Sequence, residues 1–133
     1  MEKIALVDDD PDILEIFTHF IKLFGYIPLP FQNPVEALKM IPEEYPVPSL
    51  ILLDLMMTPI TGLQFLEERR QIPRIARIPV MIVSAWGLNE QDLETYGKDI
   101  AGTIQKPVQF KDLREIINNQ ISLHHRDQTL SDG

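Results

Sequence analysis

Apolar and polar positions along this chain follow two rhythms. Short, nearly continuous apolar runs fall at residues 3–7, 26–30, 49–53, 79–83 and 102–105. Between them lie stretches whose apolar residues recur three or four positions apart. Short apolar runs bounded by turn residues read as buried strands, and the wider spacing reads as amphipathic helices. The first helix carries Ile13, Phe17, Phe20 and Phe24, with Asp10 as N-cap, Pro11 in its first turn and Gly25 as its stop. Asn33-Pro34 opens a second helix with Val35, Leu38 and Ile41 inward. A third places Leu63 and Leu66 inward and Glu67, Glu68, Arg69 and Arg70 outward. A short helix over about 89–96 has only Leu93 and Tyr96 as its apolar side. The last helix is built on Phe110, Leu113, Ile116 and Ile117.

Five strands alternating with five helices predict right-handed crossovers and an α/β, doubly wound parallel sheet. The central run, Leu50-Ile51-Leu52-Leu53, is apolar on both faces, as a strand covered by helices on each side requires. It ends in Asp54. Open α/β sheets place their ligands at the carboxyl ends of the strands. Four of the five strands end in residues capable of chemistry: Asp8 and Asp9, Asp54, Ser84, and Lys106. Each has a plainer role taken alone, since Asp8 to Asp10 can cap a helix, Ser84 can turn the chain and Lys106 can sit in solvent. Their joint appearance at successive strand ends along one sheet edge argues for a site.

Composition bounds what that site can be. The chain has 133 residues, enough for one domain with a proper core. It has no cysteine, which excludes disulfides and thiolate metal centres. A net charge of −8 disfavours direct nucleic-acid binding. No apolar run approaches the roughly 18 residues of a membrane span, and Met1-Glu2-Lys3 does not begin a secretory leader. A cytoplasmic location is expected. Residues 1–122 are expected to form the domain, and 123–133 a polar tail or the start of a linker.

Carboxylates about 5 Å apart repel by roughly 3 kcal/mol per pair at an effective dielectric near 20. Asp8, Asp9 and Asp54 against Lys106 alone therefore call for a divalent cation. An all-oxygen donor set that shares its shell with water and phosphate suits Mg2+. The expected ligands are Asp9, Asp54 and the main-chain carbonyl of Met56, with Asp8 acting mainly through water. A carboxylate beside Mg2+, a hydroxyl and an ammonium is equipment for phosphoryl transfer to Asp54, with Ser84 and Lys106 meeting the phosphoryl oxygens.

These residues resemble the receiver domain of two-component response regulators, in its chemotaxis-regulator-like form. The resemblance rests on Ile4 to Pro11, Leu52 to Met57 with Gly62, Ser84-Ala85 and Lys106-Pro107, and it covers about residues 3–121. It implies a flavodoxin-like fold with strand order 2-1-3-4-5, Mg2+ dependence, and a cis bond before Pro107. It also implies phosphotransfer to Asp54 from a sensor histidine kinase or phosphotransfer protein. The signal would pass to a partner or a second copy through the fourth helix, last strand and last helix, and the chain would catalyse only its own phosphorylation and dephosphorylation.

Three positions depart from the family pattern. Thr103 stands where an inward-turning aromatic is usual, the proline after Asp54 is Pro59 rather than one residue earlier, and Val108 replaces a common Phe. Trp86, just past Ser84 and Ala85, is expected to border the site, where it can shield an acyl phosphate or simply pack. His19, His124 and His125 have no ligand spacing. Two other readings are a receiver that binds partners without phosphorylation, and a haloacid dehalogenase-type phosphatase with Asp8 attacking and Asp10 as general acid.

Overall fold

The computed structural model describes the backbone of residues 1–132, with side chains described through residue 123 and at His125. The elements in chain order are β1 (Lys3–Val7), α1 (Pro11–Leu23), β2 (Ile27–Phe31), α2 (Pro34–Met40), β3 (Leu50–Leu53), α3 (Gly62–Arg70), β4 (Val80–Ser84), α4 (Glu90–Tyr96), β5 (Gly102–Gln105) and α5 (Phe110–Asp132). A 3-10 turn, Ile41–Glu43, follows α2. The strands are all parallel, in the order β2-β1-β3-β4-β5. The doubly wound fold and strand order expected from the sequence are those observed.

Strand side chains alternate between the two faces of the sheet, and the core divides accordingly. Ala5, Val7, Ile51, Leu53, Val80 and Ile82 pack on one face with residues of α2 and α3. Ile4, Leu6, Leu50, Leu52, Met81, Val83 and Ile104 pack on the other with residues of α1 and α5. At the sheet edge, β2 tolerates Pro28 and Pro30 because of the same alternation. Ile27 donates its N–H to Glu2 O at 2.9 Å, so the odd positions bond to β1 and the prolines occupy positions whose missing N–H faces outward.

Asp10 caps α1 by accepting from Asp12 N and Ile13 N, and Asn33 caps α2 in the same way. The helices lie where the sequence places them, but their buried faces differ from the expected ones. In α2 the buried residues are Pro34 and Ala37, and Ile41 is buried just beyond it, while Val35 is only half-buried. In α3 Leu66 is buried as expected and Leu63 partly so, but Phe65 is fully buried and Arg69, expected outside, is only 3% exposed. Its guanidinium donates to Ile78 O, which a charged side chain under a sheet edge requires. The helical backbone of α5 runs on to Asp132, through the stretch expected as a polar tail. Among the described residues no helix is long and apolar enough to cross a membrane.

Candidate functional site

Asp54 is held where β3 ends. Its N–H donates to Val7 O at 3.0 Å, and Asp8 N donates to Phe31 O at 3.2 Å, so the sheet ladder positions both carboxylates. Asp54 and Asp8 are buried and Asp9 is half-buried. One carboxylate oxygen from each of the three lies within 4.8 Å of the others. Lys106, at the end of β5, reaches across with Nζ 2.8 Å from Asp8 Oδ2 and 3.8 Å from Asp54 Oδ1. The sequence expectation set Lys106 against the acceptor and its phosphoryl group; its tighter partner here is Asp8.

The loop after β3 is built around Gly62. A Cβ at this position would fall 2.5 Å from Asp54 O and 2.8 Å from Leu55 Cα, so only glycine lets α3 start against the backbone of Asp54. Gly62 N donates to Leu55 O at 2.9 Å, and Thr61 with Gln64 forms a reciprocal capping box. The shifted proline matters more than a change of loop shape. Thr58 retains an N–H, which a proline there would lack, and donates it to Asp9 Oδ2 at 3.2 Å.

Burial raises the Asp54 carboxyl above its ordinary value, and the neighbouring Asp8 charge adds to this. Lys106 and the main-chain N–H groups of Met56 and Leu55 oppose the shift. A raised folded-state value means that ionised Asp54 costs folding free energy: the cost is absent below the unfolded value and grows as pH rises through the folded one. Three oxygen donors grouped around such an unfavourably placed anion fit a hard divalent cation.

The remaining expected residues take definite places. Ser84 is buried at the end of β4, its Oγ accepting from Trp86 N at 3.3 Å and its carbonyl accepting from Lys106 N at 2.9 Å. Ala85 and Thr103 are exposed. Trp86 is 73% exposed, and with Ser84, Thr103 and Gly87 it lines a hollow of about 140 Å3. The Met56 side chain is exposed, whereas Met57 is core. The Lys106-Pro107 bond is cis, as are Tyr45-Pro46 and Thr58-Pro59. Val108 packs partly against the α1/α5 core. Asp10 accepts from Asp12 N and Ile13 N as the cap of α1, the plainer role the sequence offered for it. His125 lies far from the site and pairs with Glu2 at 2.7 Å. Sequence reasoning missed the Gly62 contact and the Thr58 donor, because neither main-chain contact leaves a side-chain pattern.

Comparison with known proteins gives this geometry a family. The family model described as the response regulator receiver domain matches residues 4–118. A transcriptional regulatory protein CpxR homolog of Haemophilus influenzae is 33% identical over 118 residues, covering 88% of this chain and 48% of that protein. The chain spans about half the length of the first curated relatives it matches. A CheY-like receiver domain protein of Methanospirillum hungatei has the same fold, with a TM-score of 0.84 at 23% identity over 96% of this chain and 98% of that one. The response regulator TrrA of Thermotoga maritima, solved in complex with Mg2+ and BeF, aligns with a TM-score of 0.77 at 26% identity over 90% of this chain and 99% of that one. The chain belongs to the receiver domain family of two-component response regulators.

Proposed function

We propose that Asp54 accepts a phosphoryl group from a phosphohistidine of a sensor kinase or phosphotransfer protein. The observation that carries this reading is a buried carboxylate at a strand end with two further carboxylates and an ammonium within reach. An Asp54 carboxylate oxygen attacks phosphorus, the phosphorus–nitrogen bond of the donor breaks, and its electron pair stays with the imidazole. Asp8, Asp9 and Asp54, with the Met56 carbonyl, would hold Mg2+, which when bound neutralises charge on the phosphoryl oxygens. Lys106 would supply a second positive charge, its Nζ lying 3.8 Å from Asp54 Oδ1, and the Ser84 hydroxyl, one strand away, would donate to a phosphoryl oxygen. Gly62 and Thr58 act as positioning residues for Asp54 and Asp9. The chain thus promotes chemistry only on itself.

Residues 1–122 are assigned as the phosphoacceptor unit and 123–133 as a polar tail or the start of a linker. The message would pass through a shift in population of the surface formed by α4, β5 and α5, to a downstream protein or a second copy. A cytoplasmic setting suits a partner carrying phosphohistidine. Thr103 and the exposed indole of Trp86 line the hollow beside Ser84, so Trp86 is a large side chain that could report a movement of that hydroxyl.

The test is intact-mass spectrometry after incubation with acetyl phosphate and Mg2+. Wild type is expected to gain one phosphoryl group, and Asp54→Asn, or wild type in EDTA, none. A phosphoryl gain that persists in Asp54→Asn would move the acceptor elsewhere. No gain in folded, Mg2+-bound wild type would favour phosphorylation-independent partner binding.

A further inference from the structure

The other end of the sheet carries a second concentration of charge, of opposite sign. Pro79 leads into β4 and Ala101 into β5, and between them and the end of α3 lies a hollow of about 360 Å3. Arg69, Arg77, Lys98 and Asp99 line it, with Ala76 among the small side chains. In a chain of net charge −8, three cations around one cavity are a local reversal.

Arg69 is the built part of this site. It is nine-tenths buried or more, yet its Nε and Nη1 find no hydrogen-bond partner. Nη1 lies 3.7 Å from Asp99 Oδ1, beyond hydrogen-bond reach. Buried polar atoms without a partner in a folded protein call for an explanation, an ordered water or ion among them. Asp99 does not balance the charge, because Arg70 also holds it, with Nε 3.1 Å from both carboxylate oxygens. Arg77 and Lys98 are exposed, and among the described residues neither forms an ion pair.

We infer that this hollow binds the phosphoryl group of a small molecule, independently of Asp54. Arg77 and Lys98 contact the oxyanion directly, while Arg69 contributes its charge from the wall. A guanidinium fork matches phosphate oxygens in pairs, and lysine adds a mobile point charge. The hollow has the size of a small-ligand pocket, and its exposed arginine and lysine can close over an anion. The site stands apart from the proposed phosphotransfer and does not depend on it.

The experiment is an NMR titration of the full chain with inorganic phosphate and with pyrophosphate. EDTA excludes metal-bridged binding at the aspartates, and sodium chloride holds ionic strength constant. Saturable shifts are expected at the amides of Ala76, Arg77 and Lys98 to Ala101, with pyrophosphate the tighter ligand. The double variant Arg77→Gln/Lys98→Gln should weaken binding at least tenfold, while Lys22→Gln/Lys39→Gln, on α1 and α2, should leave it unchanged. Both variants alter exposed side chains, and their unchanged spectra elsewhere would confirm folding. Shifts that grow linearly without saturation, or equal affinity in the Arg77/Lys98 variant, would overturn the inference. Tighter binding of a glutamate-rich peptide than of pyrophosphate would overturn the small-molecule assignment.

Discussion

At the scale of single residues, the buried Asp54 carboxylate is a burden on the fold that a bound cation would relieve. Burial is the main cost on the Asp54 carboxylate and repulsion from Asp8, roughly 3 kcal/mol at an effective dielectric near 20, adds to it, with Lys106 offsetting part. In EDTA, Asp54→Asn is therefore expected to raise stability by about 1–2 kcal/mol at neutral pH, read from the urea midpoint. The sign of the pH dependence is fixed by the raised carboxyl. Metal-free wild type should lose stability as pH rises from the unfolded value through the folded one, and the Asn variant should lack that loss. A less stable Asn variant would show that hydrogen bonding from Leu55 and Met56 outweighs burial and repulsion. Gly62 is constrained just as sharply. Gly62→Ala puts a methyl 2.5 Å from a main-chain oxygen that cannot rotate away, so α3 must shift. A loss of about 2–3 kcal/mol is expected, with slower labelling of Asp54 by acetyl phosphate. An unchanged urea midpoint would mean the α3 start yields more easily than its contacts suggest.

At the scale of elements, the helices differ in what holds them. Both faces of the sheet bury α1, α2, α3 and α5 through apolar residues, but α4 has no buried residue and packs on the core only through the partly buried Tyr96. It is tied to α3 by polar contacts: Tyr96 OH to Glu67, Arg70 Nη2 to Thr95 O at 3.1 Å, and Arg70 to Asp99 just beyond the helix. Exposed polar ties of this kind contribute at most about 1 kcal/mol each. Amide exchange should therefore be fastest in α4 among the helices, and Arg70→Ala should raise it by about fivefold at Leu93 to Gly97. No change would place the support of α4 elsewhere. The same helix shows what was legible in sequence. Its periodicity, carried by Leu93 and Tyr96 alone, made it the least definite helix in the sequence, and the strands were readable because burial on both faces leaves continuous apolar runs. Arg69 was misread as solvent-facing because a charged residue at a helix end looks the same whether it meets water or a carbonyl such as Ile78 O. The polar residues at four strand ends were legible because a parallel sheet brings distant strand ends to one edge. Asp99, the partner of Arg69 and Arg70, was not, since ion pairs across loops leave no spacing rule.

At the scale of the molecule, acidic charge is gathered at the strand ends that hold Asp8, Asp9 and Asp54, within a chain already at −8. Two kinds of cation effect should then separate. Monovalent salt screens the diffuse self-repulsion of the whole surface, with a Debye length of about 10 Å at 0.1 M. A divalent ion held by three carboxylates acts by mass action, adding about 2.7 kcal/mol at a hundred times its dissociation constant. At matched ionic strength, Mg2+ is thus expected to raise the melting temperature of wild type well above the value in sodium chloride. Asp54→Asn removes one of three charged donors, so most of the Mg2+-specific increment should vanish while the response to sodium chloride persists. Lys106→Met tests the same balance from the other side. Without its ammonium 2.8 Å from Asp8, the carboxylates repel more strongly, so the metal-free protein should melt lower and its Mg2+ increment should grow. Equal shifts from Mg2+ and sodium chloride in all three proteins would mean the acidic cluster answers only to screening, and the Mg2+ assignment would fall with it.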